Sequence, residues 1–320
     1  MNGDRLDIVI VNWNTQALCL SALATLEPFA HPSSGVKVIL VDNGSTDGSA
    51  DAVAARFPWV VLVRSSENLG YARGNNLGIR QGSAPYVWLL NSDTEVRDAE
   101  TPWRLLSFLE AHPRCGAVGP ALVLPDGALQ TGAAGYDIGI RTAIHYYFFL
   151  SRFFPRKCRG YFIDQAYWSR GKAGTRVDWV CGAALMTPRA VLERAGLVPA
   201  DHFMYAEDVT LCRTIRALGH DVVYLPSAAV THHHGASSER TGRASTRWLE
   251  SVFDEYGRRV GPFRRAALRG VFAAGFLLRA VLYALTYVLA RRTPARAKSR
   301  AMWTYCAASL RHRYREASGA

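Results

Sequence analysis

Four short apolar runs alternating with helix-like stretches constrain the fold of this chain more than any other feature. Ile8–Val11 is a continuous β-branched run, followed by a helical stretch over Thr15–Phe29. Val36–Val41 precedes a helical Ser49–Phe57, Val60–Arg64 precedes a helical Tyr71–Gln81, and Tyr86–Leu90 is the fourth run. Strands that are apolar throughout are covered on both faces, so this β-α-β-α rhythm predicts a parallel sheet flanked by helices. Ligands in such sheets bind beyond the carboxyl ends of the strands. Three polar clusters stand there: Asn12–Asn14, Asp42–Asp47 and Asn91–Asp93. An Asp-Asn-Gly sequence after a strand is by itself only a turn signal. An acid ending an apolar strand, as Asp93 does, is suited to a divalent metal beside a phosphate.

Regular structure is expected again at Asp178–Thr187 (strand and turn), Pro188–Ala195 (helix) and Glu207–Leu218 (helix, with Gly219 as its C-cap). Asp221–Leu225 reads as a strand, Ala229–Thr231 leads into His232-His233-His234-Gly235, and the chain after Trp248 is mostly helical. Glu207 and Asp208 open their helix, where acids either complement the helix dipole or do chemistry. Between Tyr146 and Trp168, ten of 23 residues are aromatic, with Arg152, Arg156, Lys157, Arg159 and Arg170 among or beside them. That mixture fits a subdomain with its own core, a surface at lipid headgroups, or a site for single-stranded nucleic acid. The six cysteines show no pairing pattern and read as reduced cytoplasmic thiols, and Met1–Asp7 is too polar to begin a signal peptide.

Charge separates the chain into two parts. Residues 1–255 carry 24 Lys/Arg and 25 Asp/Glu, whereas residues 256–320 carry 14 Lys/Arg and the single acid Glu316. The whole excess of +12 therefore belongs to the C-terminal fifth, which points to an anionic surface, either membrane or nucleic acid. Val271–Ala290 is long enough to span a bilayer and holds one charge, Arg279. Basic clusters at both of its ends argue against a span. Arg265, Arg269 and Arg279 fall on one helical stripe, so the expectation is a helix lying in the membrane interface or re-entering it.

Taken in order, Ile8–Asn14, Val41–Gly48, Asn68–Asn76, Leu89–Thr94, Asp178–Ala183, Glu207–Arg213 and Val230–Ser237 closely resemble glycosyltransferase family 2. The resemblance runs from Leu6 to Ser238 and is nearest to bacterial rhamnosyltransferases acting on lipid-linked or polysaccharide acceptors. It implies a GT-A fold, a Rossmann-like nucleotide-sugar-binding mixed sheet with helices on both faces. Residues 1–250 would form this catalytic domain, with an aromatic and basic insertion at about 141–175, and residues 251–320 a helical membrane-association region. The resemblance also implies a nucleotide-sugar donor and a divalent metal, Mg²⁺ or Mn²⁺.

Residue by residue, it places Asn12, Asn14 and Asp42 at the base and ribose, where a carboxylate accepts from imide and hydroxyl groups. Asn68, Arg73 and Asn75 match the loop that orients the donor, with Arg73 suited to diphosphate charge. Asn91-Ser92-Asp93 takes the place of the family's D-x-D motif, with Asn91 on the nucleotide sugar and Asp93 as the main carboxylate ligand of the metal. His232 aligns with the family's late metal-binding His, although His233 and His234 stand beside it. Asp208 matches the catalytic base of an inverting transfer. Glu207 and Trp179 would serve the acceptor, Trp179 either by stacking on a sugar or as a core residue.

The expected activity is metal-dependent inverting transfer, best matched by L-rhamnose from dTDP-rhamnose. The expected acceptor is a polyprenyl-linked glycan at the cytoplasmic face of a bacterial inner membrane, in cell-envelope glycan synthesis, and self-association as a homo-oligomer is compatible. UDP-galactofuranose and UDP-N-acetylglucosamine are the alternative donors. A processive synthase is disfavoured because a Q-x-x-R-W motif is missing from the sequence. A basic nucleic-acid-binding protein is the alternative of another class, disfavoured by the neutral first 255 residues, so no nucleic acid is expected as a partner.

Overall fold

The computed structural model describes residues 4–29, 31, 33–164, 174–200, 206–233, 246–290 and 293–314. Tyr167, Trp168, Arg170, His234, Gly235, Ser237, Arg291 and Arg292, which figure in the sequence expectations, lie outside the described residues. The chain divides into two compact units, residues 1–135 with 165–237 and residues 136–164 with 238–320. Residues 146–164 of the aromatic segment thus group with the C-terminal helices, whereas the sequence expectation places an insertion at about 141–175 in the first domain.

The first unit opens with β1 (Leu6–Asn12), α1 (Gln16–Leu26), β2 (Val36–Asn43), α2 (Ser49–Arg56), β3 (Val61–Ser65), α3 (Gly70–Ile79) and β4 (Tyr86–Asn91). These four strands pair in parallel in the order β3-β2-β1-β4. β1 and β2 are buried almost throughout, whereas β3 at the edge is half-exposed. Helix α3 lies close on this sheet because it carries glycines: a Cβ at Gly78 would fall 2.5 Å from Val9 Cγ1 and 3.1 Å from Val41 Cγ2.

There follow β5 (Thr94–Glu95), α4 (Thr101–Ala111), β6 (Cys115–Val123), β7 (Ala134–Gly135), β8 (Thr175–Val177), β9 (Trp179–Val180) and β10 (Ala184–Pro188). The sheet continues β4-β10-β6-β11-β5, where β11 is Asp221–His232. β10 runs antiparallel to both β4 and β6, and β11 is parallel to β6, so the sheet is mixed. The sequence reading contains neither α4 nor β6; Gly116, Gly119 and Pro120 break up the run that makes β6. It also ends a strand at Leu225, whereas β11 continues past Pro226 through a shift of register between Leu225 and Ala229. Proline inside a paired strand is tolerated at such an irregularity. The extension carries the chain on to His232.

A buried ion pair anchors the amino end of the sheet. Asp7 is fully buried on β1; its Oδ2 accepts from Arg189 Nη2 at 2.6 Å and from the Ala84 amide at 2.9 Å. The same guanidinium donates to the carbonyls of Ala84 and Ile79.

The second unit contains α5 (Ile140–Tyr147) and α6 (Leu150–Phe153), and after them in space α9 (Arg247–Gly257), α10 (Pro262–Ala290) and α11 (Thr293–Arg311); α7 (Arg189–Arg194) and α8 (Glu207–Ala217) belong to the first unit. Leu268, Phe272, Phe276 and Ala280, spaced by four, form the buried stripe of α10. Tyr147 packs on Phe272 and Phe276, and Tyr305 of α11 packs on Phe276.

The arginine stripe is a correction to the sequence expectation, because it faces protein and not headgroups. Arg279 donates to the Tyr146 carbonyl at 2.8 Å and lies over the rings of Tyr146 and Phe149. Arg269 donates to the His312 carbonyl, and Arg265 stacks on Tyr314. The opposite side of α10 is apolar and exposed at Leu277, Val281, Leu285 and Val288, the last 68% exposed. Pro262–Leu289 is long and apolar enough to cross a membrane.

Removing one partner of a buried ion pair strands the other's charge, typically at ~3–5 kcal/mol. Arg189→Met is expected to lower stability by an amount of that order in urea unfolding, and Asp7→Asn in the same chain to recover part of it.

Candidate active site

The polar groups at the carboxyl ends of β1, β2 and β4 come together because the strands are in register. Asn12 pairs with Asp42, and Val11 with Asn91. Asn12 is fully buried and its amide nitrogen lies 3.4 Å from Asp42 Oδ1 and 3.3 Å from Ser45 Oγ, while its oxygen accepts from Thr15 Oγ1. It therefore orients the Asp42 turn. Ser45, which the sequence reading did not single out, ties both strand ends: its amide donates to Asp42 Oδ2, and its hydroxyl accepts from the Asn14 amide. Asn14 adopts φ 52°, a left-handed conformation that asparagine tolerates, and its oxygen receives the Thr46 amide at 2.8 Å.

The Asn68–Asn76 loop and helix divide between brace and surface. Asn68 Oδ1 accepts from Asn43 Nδ2 at 3.0 Å and from the Gly70 amide, and buried Asn75 donates to the Tyr71 carbonyl. Both shape the start of α3, within the loop expected to orient the donor. Arg73 is exposed on the same helix.

Metal-site candidates come from two strands far apart in sequence. β5 pairs with the end of β11, His232 opposite Thr94, so that His232 Nε2 lies 3.2 Å from Asp93 Oδ1. Both side chains are buried, and His232 Nδ1 lies 2.7 Å from Gln130 Oε1. His233 is engaged elsewhere, with Nε2 2.9 Å from Glu95 Oε1. Asp93 and His232 are chemically fit to hold Mn²⁺ or Mg²⁺: a carboxylate oxygen and an imidazole nitrogen converge, leaving other positions to phosphate oxygens and water. Among the described residues no group of three or more His, Cys, Asp or Glu forms a protein-only metal cage. Asn91 is held by its backbone, its amide donating to the Ala183 carbonyl.

The acidic pair opens α8 from an unusual backbone. Ala206, just before the helix, has φ 74°, a conformation costly for a residue with a Cβ. Asp208 Oδ2 accepts from the Gly182 amide at 2.9 Å, and Oδ1 from the Val209 amide at 2.8 Å. The Gly182 carbonyl in turn accepts from the Tyr71 hydroxyl at 2.7 Å, and a Cβ at Gly182 would sit 2.9 Å from that hydroxyl. Burial raises the Asp208 carboxyl above the usual range against the pull of these two amides. Burial, then the neighbouring Asp208 charge, pushes Glu207 up to about 8. With two amides on its carboxylate, Asp208 ionises first, so Glu207 keeps its proton at neutral pH. The Cys181 thiol, raised by burial, also feels Asp208, Glu207 and Asp93, marking where the acidic pair and the metal-site candidates approach each other.

Trp179 is 3% exposed on β9, in line with the core alternative of its two readings. Gln130, Ser45, Tyr71 and Gly182 were not legible as site residues in sequence. Only the turn residues Asp126-Gly127 hint that the chain doubles back to bring Gln130 beside β6.

Comparison with known proteins identifies the family. Residues 4–251 match the family described as glycosyltransferase like family 2. The N-acetylglucosaminyl-diphospho-decaprenol L-rhamnosyltransferase of Mycobacterium tuberculosis is 31% identical over 301 residues, covering 87% of this chain and 92% of that protein. Among solved structures, the mannosyltransferase PcManGT from Pyrobaculum calidifontis, in complex with GDP-Man and Mn²⁺, matches with a TM-score of 0.61 at 20% identity, over 97% of this chain and 87% of that one. S. aureus TarS 1–349 matches with a TM-score of 0.52 at 13% identity, over 98% and 93%. At such identities the structural likeness speaks to the fold, which is GT-A. The order of strands, the buried acids at their ends and the sequence match lead to one conclusion: the chain belongs to glycosyltransferase family 2 and is a glycosyltransferase similar to rhamnosyltransferases.

Proposed function

We propose that this enzyme transfers L-rhamnose from dTDP-rhamnose, with inversion, to a polyprenyl-diphosphate-linked N-acetylglucosamine acceptor in cell-envelope glycan synthesis. The observation that carries the chemistry is Asp208, a carboxylate held by two backbone amides at the end of the sheet where the nucleotide residues gather. The donor and acceptor follow the mycobacterial relative, which spans nearly the same length. Asp208 takes the proton of the acceptor hydroxyl while that oxygen bonds to the anomeric carbon. The bond from that carbon to the diphosphate breaks, and the nucleoside diphosphate leaves with the electron pair. Asp42 and Asn14 bind base and ribose, and Asn91 and Arg73 the sugar diphosphate. Asp93 and His232 would hold a divalent cation, which neutralises charge on the leaving diphosphate when bound. Glu207, carrying its proton, donates to the acceptor and leaves the neighbouring carboxylate free to act as base.

The second unit supplies the membrane contact at the cytoplasmic face. The apolar side of α10, Leu277, Val281, Leu285 and Val288, is exposed, and the exposed Arg264 and Arg300 add positive charge for anionic headgroups. Because Arg265, Arg269 and Arg279 are engaged within the protein, α10 enters the interface by its exposed apolar side. Such an anchor keeps a soluble donor and a lipid-linked acceptor at one catalytic domain.

Purified protein in detergent, given Mn²⁺ or Mg²⁺ and a polyprenyl-diphosphate-GlcNAc acceptor, is expected to release nucleoside diphosphate from dTDP-rhamnose and not from UDP-galactofuranose or UDP-N-acetylglucosamine. Asp208→Asn should lower kcat/KM by ~10²–10⁴-fold; an unchanged rate would remove the base assignment. Since the base works deprotonated, kcat/KM should rise with pH through a step above the ordinary aspartate range.

Glu207 gives a stability signature of the opposite sense. Its folded pKa, about 8, lies above the unfolded value of 4.5, so the native state holds the extra proton and stability falls as pH rises across that interval. Glu207→Gln should melt higher than the parent at pH 8, with the gap closing by pH 5. For the membrane contact, vesicle flotation should favour anionic over zwitterionic lipid, and Leu285→Glu with Val288→Glu should weaken binding by about tenfold or more.

A further inference from the structure

Gln130 lies 102 residues before His232 in sequence and reaches it by a hairpin. After β6 the chain turns at Asp126-Gly127, where Gly127 adopts φ 84°, and comes back alongside β6: the Gln130 amide donates to the Leu122 carbonyl at 2.9 Å. Leu122 is in turn the β6 partner of Val230, two residues before His232. Gln130 is 5% exposed, and its Oε1 stands 2.7 Å from His232 Nδ1.

A neutral imidazole has one N–H and one lone pair, and which nitrogen carries the proton is set by its hydrogen-bond partner. A carbonyl oxygen accepts only, so Oε1 facing Nδ1 puts the proton on Nδ1. In the neutral ring the lone pair is then on Nε2, the nitrogen that lies 3.2 Å from the Asp93 oxygen. We propose that Gln130 is a positioning residue that locks His232 in the tautomer whose Nε2 is ready for a metal, pre-orienting the His232–Asp93 pair. The proposal rests on the metal reading given above. It adds a residue outside the motifs that suggested that reading, acting through His232 and not on substrate. Outer partners of this kind are commonly worth 10–100-fold in metal affinity.

The variants separate this role from a merely structural one. Gln130→Glu keeps an accepting oxygen towards Nδ1, whereas Gln130→Met fills similar space with no strong acceptor. Mn²⁺ binding, followed by the electron paramagnetic resonance of free Mn²⁺ with and without dTDP, is expected to weaken ~10–100-fold in Gln130→Met. It should stay close to the parent in Gln130→Glu and weaken at least as much as Gln130→Met in His232→Ala. In the metal-free protein, ¹⁵N-histidine NMR should find Nδ1 protonated in the parent and in Gln130→Glu, and a shift towards the Nε2-protonated form in Gln130→Met. Parent-like Mn²⁺ affinity in Gln130→Met beside a weakened His232→Ala would overturn the role of Gln130 and leave the metal reading standing. Loss in Gln130→Glu equal to that in Gln130→Met would show that the amide nitrogen faces the ring, which also overturns it. Unchanged affinity in His232→Ala would remove the metal reading and this inference together. A parent protein with Nε2 protonated defeats the tautomer assignment without any metal being added.

Discussion

The backbone ladder of β1, bonded in parallel to β2 on one side and β4 on the other, is the constraint on which the end of the sheet proposed to bind nucleotide depends. Its register brings Asn12 beside Asp42 and Val11 beside Asn91, so three chain segments deliver their polar residues to one edge. A slip of one residue would turn each side chain to the opposite face of the sheet. That register is protected from both ends. At the amino end Asp7 is held by Arg189 and by the Ala84 amide, tying β1 to α7 and to the start of β4. At the carboxyl end Asn12, Asp42 and Ser45 bond to one another.

The region around the acidic pair depends on a different kind of contact. β10 sits between β4 and β6 and runs against both, and the turn before it carries Gly182. That glycine meets Tyr71 of α3 through its carbonyl and Asp208 of α8 through its amide. One small residue therefore links the helix expected to serve the donor with the carboxylate proposed as base. The strained backbone at Ala206 belongs to the same construction, because it sets the first turn of α8 so that Asp208 meets the Gly182 amide. The cost of that conformation and of burying two adjacent acids is offset by the remainder of the fold, as at many catalytic sites.

In the second unit, the arginines and the aromatic segment explain each other. An arginine on an apolar helix suggests a headgroup contact when the helix is read alone, but Arg279 finds a carbonyl and three aromatic faces within the unit. Tyr147 occupies the space that the missing Cβ of Gly275 leaves open. The outcome is a helix that turns Arg265, Arg269 and Arg279 inward beside its buried apolar stripe and leaves a second apolar side exposed.

How much of this was readable in advance follows from the range of each interaction. The parallel run β1–β4, the acids at its ends and the acidic start of α8 were legible, because alternating apolar runs and helix-opening residues are local patterns. Seven short motifs in order sufficed for the family. β6 escaped because glycines and a proline interrupt its apolar run, and the far half of β11 because Pro226 resembles a stop where the fold tolerates a bulge. The placement of His232 against Asp93 came from two residues of β5 pairing with the end of β11, and Gln130 reached them by a hairpin. Trp179 sat in a plausible motif yet went into the interior. Sequence by itself determined which segments form strands and which residues have suitable chemistry, since those depend on neighbours a few residues away. Tertiary structure alone decided which chemically suitable residues meet, which asparagines brace and which face outward, because those depend on strand register and burial between segments tens to a hundred residues apart.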